Sequence, residues 1–186
     1  MRGHVIGMHL GLPTSHVAIT TDYGITVHRC TPSAGYGPST PELIRRHSWM
    51  ARDIGLTVAQ FNPVLVVVNQ PDEQDGSNRW DSHGLWWHVV KDLVGDMRPI
   101  SVIDDDTAFT YATGVNRATD QLPFEDTVLA RLTDRYGQER RLTSGQAAAL
   151  NRAAMGADHL GHPVAPVPAR HRAALDSAER WAEVWR

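Results

Sequence analysis

Pro63-Val64-Leu65-Val66-Val67-Val68 is a short, unbroken, β-branched run with no polar residue to face water. Such a run marks a central parallel strand buried on both faces. Its neighbours supply the helices that a parallel strand needs. Upstream, Ser39-Thr40-Pro41-Glu42 reads as a helix start, with Thr40 as cap and proline at the first helical position. The predicted helix runs to about Gly55 and gathers Leu43, Arg46, His47, Met50 and Ile54 on one face. Downstream, a polar loop from Asn69 to Arg79 leads into a helix through Leu85–Val94, then a second buried strand, Pro99-Ile100-Ser101-Val102-Ile103. Asp104-Asp105-Asp106 then starts a short helix reaching Tyr111.

The first thirty residues are different. His4–Leu10, His16–Thr21 and Ile25–Cys30 have strand composition and are separated by turns at Gly11–Ser15 and Asp22–Gly24, which predicts a three-strand meander. Thr31–Thr40 is a Pro/Ser/Gly loop. After a loop at Thr113–Pro123, Phe124–Tyr136 and Gly145–Leu160 read as helices, the last stopped by Gly161 and Pro163. The predicted order is β-β-β-α-β-α-β-α-α. It implies an α/β fold with a mixed five-stranded sheet flanked by helices, the ribonuclease-H-like layout. That layout fixes no function by itself. The expected domain covers residues 1–163, and 164–186 is expected to be a proline-led, partly helical tail with Trp181 and Trp185 as apolar anchors.

Composition narrows the options. At 186 residues with 41% hydrophobic and 21% charged, the chain suits one packed domain rather than a disordered segment. No apolar run approaches the roughly 20 residues of a membrane span. The N-terminal residues lack the pattern of a secretory signal, so an intracellular site is expected. Cys30 is the only cysteine, which excludes an intrachain disulfide and a cysteine zinc site. The formal charge is −3, from 18 basic and 21 acidic residues, unlike the basic footprint of a nucleic-acid binder.

Four stretches carry a family resemblance: Val5-Ile6-Gly7-Met8-His9-Leu10-Gly11-Leu12, Gly84-Leu85-Trp86-Trp87, Tyr111-Ala112-Thr113-Gly114, and Ala153-Ala154-Met155-Gly156-Ala157-Asp158-His159-Leu160-Gly161-His162-Pro163. By these, over residues 4–176, the chain resembles the RuvC-like Holliday-junction resolvases, especially those carried by phages of actinobacteria. The resemblance implies metal-dependent phosphodiester cleavage, in which carboxylates hold divalent cations, usually Mg²⁺, that activate a water. In the family the carboxylates lie in the first strand, after the central parallel strand, and as a pair on the final helix. Carried over residue by residue, those positions fall on His9, on Asn69 with Gln70 beside it, and on Gln146 with Ala148 or, in a shifted register, Asn151. None is a carboxylate. The family's lysines after Tyr-Ala-Thr-Gly are replaced by a longer stretch in which Arg117 is the only cation. Nonspecific DNA affinity, which rests on phosphate neutralisation, is therefore expected to be weak.

Other constellations compete with blander readings. Asp104, Asp105 and Asp106 follow a strand end, where α/β sheets gather ligands, but acids there also cap and start a helix, which is the simpler expectation. Asp72-Glu73-Gln74-Asp75-Gly76 lacks calcium-loop spacing and reads as a solvated loop. His9 with His88, His159 or His162 would need defined zinc geometry; a lone strand histidine reads first as a core residue. Trp86 and Trp87 read as packing before base stacking, with Trp80 the more exposed candidate. Arg140-Arg141 and Arg170-His171-Arg172 read as surface charge, and Cys30 as a buried strand thiol.

The expected function is a catalytically inactive RuvC-like phage protein reused as a binding or structural module, either a DNA-associated accessory or a virion or capsid component. Its expected partners are a second copy of itself or another phage protein, with weak DNA contact and no membrane, in the host cytoplasm or the virion. No cofactor is expected. The alternative is an active Holliday-junction endonuclease with Mg²⁺ at a rebuilt site around Asp104–Asp106, aided by Glu73 and His9.

Overall fold

The computed structural model describes residues 3–32, 39–71, 79–115, 129, 132–137 and 142–177. Five strands, β1 (Val5–His9), β2 (Ser15–Thr21), β3 (Gly24–Cys30), β4 (Leu65–Asn69) and β5 (Ile100–Ile103), form one sheet in the order β3-β2-β1-β4-β5. β1, β2 and β3 pair antiparallel, whereas β1–β4 and β4–β5 are parallel. The Val-rich run is thus the strand next to the sheet's centre, buried along its whole length. This is the mixed five-stranded α/β sheet that the element order implies.

Strand alternation divides the interior into two clusters. Ile6, Met8, Val66 and Val68 face α1 (Thr40–Phe61) and α2 (Arg79–Gly95), joined by Met50, Ile54, Leu85, Val89 and Leu93. Val5, Ala18, Leu65 and Val67 face α3 (Asp105–Thr113), α4 (Ser144–His159) and α5 (Ala169–Ser177), joined by Phe109, Tyr111, Leu150, Ala153 and Ala174. Glycine at position 7 lets α4 lie directly on β1. A β-carbon there would stand 2.2 Å from the Ala149 carbonyl oxygen and 2.2 Å from the Ala153 nitrogen. Gly156 does the same further along, where a β-carbon would meet Val5 at 2.7 Å and Val67 at 2.8 Å. The alanines of α4 are therefore small because the helix rides on the strand, and the two run in opposite directions. That brings the N-terminal turn of α4 over the C-terminal end of β1.

Some boundaries differ from the sequence reading. α1 is capped at Ser39, whose backbone N–H and hydroxyl both donate to Glu42, rather than at Thr40. It also passes through Gly55 to Phe61, because Ile54 and Val58 continue its buried stripe past the glycine. The left-handed Asn62, at φ 43°, ends it. In the predicted 124–136 helix, the described residues 132–135 are helical, and Leu129 and Leu132 are buried.

The chain beyond residue 163 contributes to the core. α5 packs on α3 and buries Ala174 and His171. The buried Asp158 holds it: Arg172 Nη2 donates to Oδ1 at 2.6 Å and Arg172 Nε to Oδ2 at 3.1 Å, while Tyr111 Oη donates to Oδ2 at 3.2 Å. Burial among these groups pushes the Tyr111 phenol well above its ordinary pKa. Of the predicted Arg170-His171-Arg172 surface cluster, His171 is therefore interior and Arg172 is bidentate on a buried acid. Trp181 and Trp185 lie outside the described residues. No helix among the described residues is long and apolar enough to cross a membrane.

Candidate functional site

His9 ends β1 and pairs across the sheet with His16 of β2. Both imidazoles face α4, where a β-carbon at Gly145 would lie 2.5 Å from His16 Nδ1 and 3.2 Å from His9 Cδ2. Residues 145, 148 and 152 recur at helical spacing, so Ala148 and Arg152 continue the face that Gly145 begins. A cavity of about 280 Å³ opens here, lined by His9, Asp105, Ala148, Asn151 and Arg152 and by the apolar Phe109, Leu129 and Leu132.

Arg152 dominates this site. It is fully buried, yet it carries a guanidinium into an alanine-rich helix. Its Nη2 donates to Asp105 Oδ1, and its Nη1 donates to the Ala148 carbonyl at 3.3 Å. The Arg152 side chain is 1% exposed and the Asp105 side chain 48%, so the pair runs from the interior to the surface. The cation has a direct consequence for His9. Burial, and then the Arg152 charge, lower the His9 pKa to about 4, against the opposing pull of Asp105. His16 is lowered as well, by burial and by Arg29. His9 is therefore a neutral imidazole at physiological pH.

This has a signed effect on stability. The folded pKa of His9 lies below its unfolded value of 6.5, so the unfolded chain binds the proton more readily. The stabilisation of neutral His9 is complete above about pH 6.5 and is lost as pH falls through about 4. At roughly 1.4 kcal/mol per pKa unit, the loss is about 3 kcal/mol. Urea unfolding between pH 7 and pH 4 is expected to show it, and His9→Gln is expected to remove most of that slope, leaving the smaller shares of His16 and His159, whose pKa values are also lowered by burial.

The other residues singled out in the sequence divide clearly. Asn69 does not line the cavity. Its Oδ1 accepts from Leu10 N–H at 2.7 Å and its Nδ2 donates to the Leu10 carbonyl at 3.4 Å, stapling β4 to the end of β1. Gln146 also points elsewhere: its Oε1 accepts from the Thr143 N–H at 2.9 Å, closing a capping box at the start of α4. The position that faces His9 is Gly145, one residue earlier. Ala148 and Asn151 do line the cavity, and Asn151 Nδ2 donates to the Ala108 carbonyl at 2.6 Å. The three aspartates have separate roles. Asp104 caps α3 through Thr107 N–H at 2.7 Å, Asp105 pairs with Arg152, and Asp106 is exposed on α3.

The His88 and His47 rings lie tilted by 57° to each other between α1 and α2, with centroids 6.2 Å apart, on the far face of the sheet from His9. His159 ends α4 and His162 follows it, roughly 20 Å along the helix from Gly145 at about 1.5 Å per residue. Trp86 Nε1 donates to the Asn69 carbonyl at 2.6 Å, and its ring meets Trp87 edge-on at 5.3 Å. Trp86 is thus a packing residue, whereas Trp87 is 64% exposed. Trp80 lies in the first turn of α2. Glu73, Arg117, Arg140 and Arg141 lie outside the described residues. Cys30 is buried, and burial with Asp53 nearby pushes its thiol up to about 12, leaving it inert.

The side chains present do not fit a divalent metal. Among the described residues no group of three or more histidine, cysteine or carboxylate side chains converges. The carboxylate at the cavity, Asp105, is engaged by a guanidinium. Mg²⁺ prefers anionic oxygen, and a fixed positive charge beside the site repels a dication.

No family model matches the chain, and no curated protein matches it. Solved structures do. Thermus thermophilus RuvC in complex with a Holliday junction substrate aligns with a TM-score of 0.63 at 12% identity, over 89% of this chain and 99% of that one. A second structure of Thermus thermophilus RuvC gives 0.63 at 13% identity, over 86% and 97%. The yeast mitochondrial Holliday junction resolvase Ydc2 aligns at 0.48 with 9% identity, over 95% and 83%. The chain has the fold of the RuvC-type Holliday-junction resolvases.

Proposed function

We propose that this protein is a non-catalytic RuvC-like module that works by binding. The observation that carries the reading is the ion pair between the buried Arg152 guanidinium and the half-exposed Asp105 carboxylate. In this reading, the Arg152 charge stands beside His9, where the family resemblance puts a metal-binding carboxylate. His9, Asn69, Gln146 and Ala148 supply no carboxylate. The sequence resemblance to actinobacteriophage resolvases points to a phage setting, as a DNA-associated accessory or a virion or capsid component. A second copy of the chain or another phage protein is the partner that the surface favours. Trp87, Val94 and Met97 are exposed on and just beyond α2, as are Ile44 and Leu56 on α1. Large apolar side chains left in water on neighbouring helices suit a protein interface. DNA contact is a weaker proposal, given the −3 charge.

The alternative, an endonuclease rebuilt around Asp104–Asp106 with Mg²⁺, has one observation on its side: Asp105 does line the cavity. Against it, Asp104 is spent on a helix cap and Asp105 on Arg152. A labelled four-way junction incubated with the protein and Mg²⁺ or Mn²⁺ is expected to remain uncut. Cleavage that disappears in Asp104→Ala or Asp105→Ala would establish the alternative. A gel shift of junction against linear duplex at two salt concentrations separates retained DNA binding from a purely structural role.

A further inference from the structure

His9 and His16 sit at one end of β1 and β2, beneath the first turn of α4. They are direct cross-strand partners, so both side chains leave the same face of the sheet. Both rings pack on Gly145: a single β-carbon there would lie 2.5 Å from His16 Nδ1 and 3.2 Å from His9 Cδ2. The Nδ1 atom of each ring is buried, with no hydrogen-bond partner among the described residues. A neutral imidazole carries one N–H and one lone pair, whereas an imidazolium carries an N–H at both nitrogens. Whichever tautomer each ring adopts, a second proton therefore leaves an Nδ1–H donor with neither acceptor nor water. Neither ring can hold the charge where it stands.

The surroundings add to that penalty. Facing the pair are Arg152 from α4, Arg29 from β3 and Asp105 from α3. β4, paired beside β1, brings no titratable side chain. The N-terminus of α4 itself carries partial positive charge. Asp105 is the carboxylate of this set, and Arg152 already engages it. The rest of α4 is anchored separately. Gly7 seats Ala149 and Ala153 on β1, Asn151 donates to the Ala108 carbonyl, and Arg152 ties to Asp105. Each of these anchors lies beyond the first turn, which meets the sheet at Gly145 over the two rings. We propose that the first turn of α4, residues 144–147, is an acid-released latch: proton uptake by His9 and His16 lifts it from the ends of β1 and β2 while residues 149–159 stay seated on the sheet. Ser144, Gly145 and Ala147 also line the cavity of about 280 Å³, so release opens that cavity to water. The latch does not rest on the non-catalytic reading, since local opening and junction cleavage are separate measurements.

The test is native-state hydrogen exchange of the full chain at pH 7 and pH 5 in low, non-denaturing urea, read by nuclear magnetic resonance and corrected for the intrinsic pH dependence of exchange. The reporters are Gln146 and Ala147, whose N–H groups donate to Thr143 Oγ1 at 3.4 Å and to the Thr143 carbonyl at 2.9 Å. An exposed His9 recovers its ordinary pKa of 6.5 from about 4, which favours opening of the turn about 20-fold at pH 5 over pH 7, and His16 adds to it. A local opening exposes little surface, so this gain is expected to be nearly independent of urea. The amides of Ala153 in α4 and of Val66 and Val67 in β4 are expected to follow the steep urea dependence of global unfolding. The His9 and His16 ring signals are expected to titrate over the same pH range as the change at Gln146 and Ala147. In the double variant His9→Gln/His16→Gln the pH effect on the reporters is expected to fall to about twofold or less. The wild-type contrast decides the matter where that variant folds poorly. Reporter exchange that does not change with pH, that rises only along the urea-dependent global route, or that keeps its full pH effect in the double variant would overturn the proposal. So would ring titration with the reporters still protected.

Discussion

Gly7→Ala is expected to unfold most of the protein at physiological temperature. The new methyl would sit 2.2 Å from two backbone atoms of α4 and 2.8 Å from a third, the Ala153 Cα. These are main-chain atoms of a helix packed along β1, so no rotamer change relieves the overlap. α4 would have to lift away from the strand, opening the cluster that Leu150, Ala153 and Met155 share with Val5 and Val67. Overpacking usually costs about 1–3 kcal/mol, but relief here requires moving a whole element, and a cost of about 4 kcal/mol or more is expected. That is most of the stability of a marginally stable domain. Gly55→Ala is the internal control. It lies within α1 with nothing within 4 Å of its would-be β-carbon, so a gain of up to about 1 kcal/mol is expected there. Urea unfolding of both variants measures the contrast.

The second large effect is at the site itself. Asp105→Ala is expected to cost about 3 kcal/mol, because it leaves the Arg152 charge buried without its carboxylate. Deleting the cation along with the anion should behave differently. Arg152→Met fills much of the same volume with an unbranched apolar chain. The double variant Asp105→Ala/Arg152→Met is therefore expected to recover to within about 1 kcal/mol of the wild type, since an apolar side chain in place of the buried guanidinium leaves no unpaired charge inside. The coupling between the two positions, from urea unfolding of all four proteins, should reach about 2 kcal/mol. Additive losses would mean that the pair is incidental.

The fold is legible in the sequence because its signals are local and periodic. Leu65-Val66-Val67-Val68 is apolar without a break, and that character suits a strand covered on both faces. The meander shows in its turns, and the helices in their i, i+4 stripes. α1 overruns its predicted end because one glycine costs less than the burial of Val58 gains. The site is only half legible. His9, Ala148 and Asn151 are at the cavity, but Gln146 is drawn away by its capping role, and Asn69 by its staple to Leu10. Both displacements follow from backbone groups that need partners at a helix start and a strand end, which residue identity alone does not announce.

Arg152 carries a sequence signal that the family positions do not point to. It stands four residues after Ala148 in a helix dominated by small residues, so helical spacing alone puts its charge on the buried face. Its partner Asp105 lies 47 positions away in the chain and meets it only through the packing of α3 on α4. The same holds for Asp158 and Arg172, which tie α5 to the core across an intervening Gly161–Pro163 break.

With Asp105 held by Arg152, the site is expected to take up no divalent cation. Mn²⁺ titrated into the wild-type protein at about pH 7.5, followed by electron paramagnetic resonance of the free ion, tests this directly, with EDTA-treated protein as the starting point. The expected result is a free-ion signal that rises as it does in buffer, with no site of Kd below about 1 mM. A saturable site of micromolar affinity that vanishes in Asp105→Ala would overturn that expectation and restore a metal centre to the end of β1.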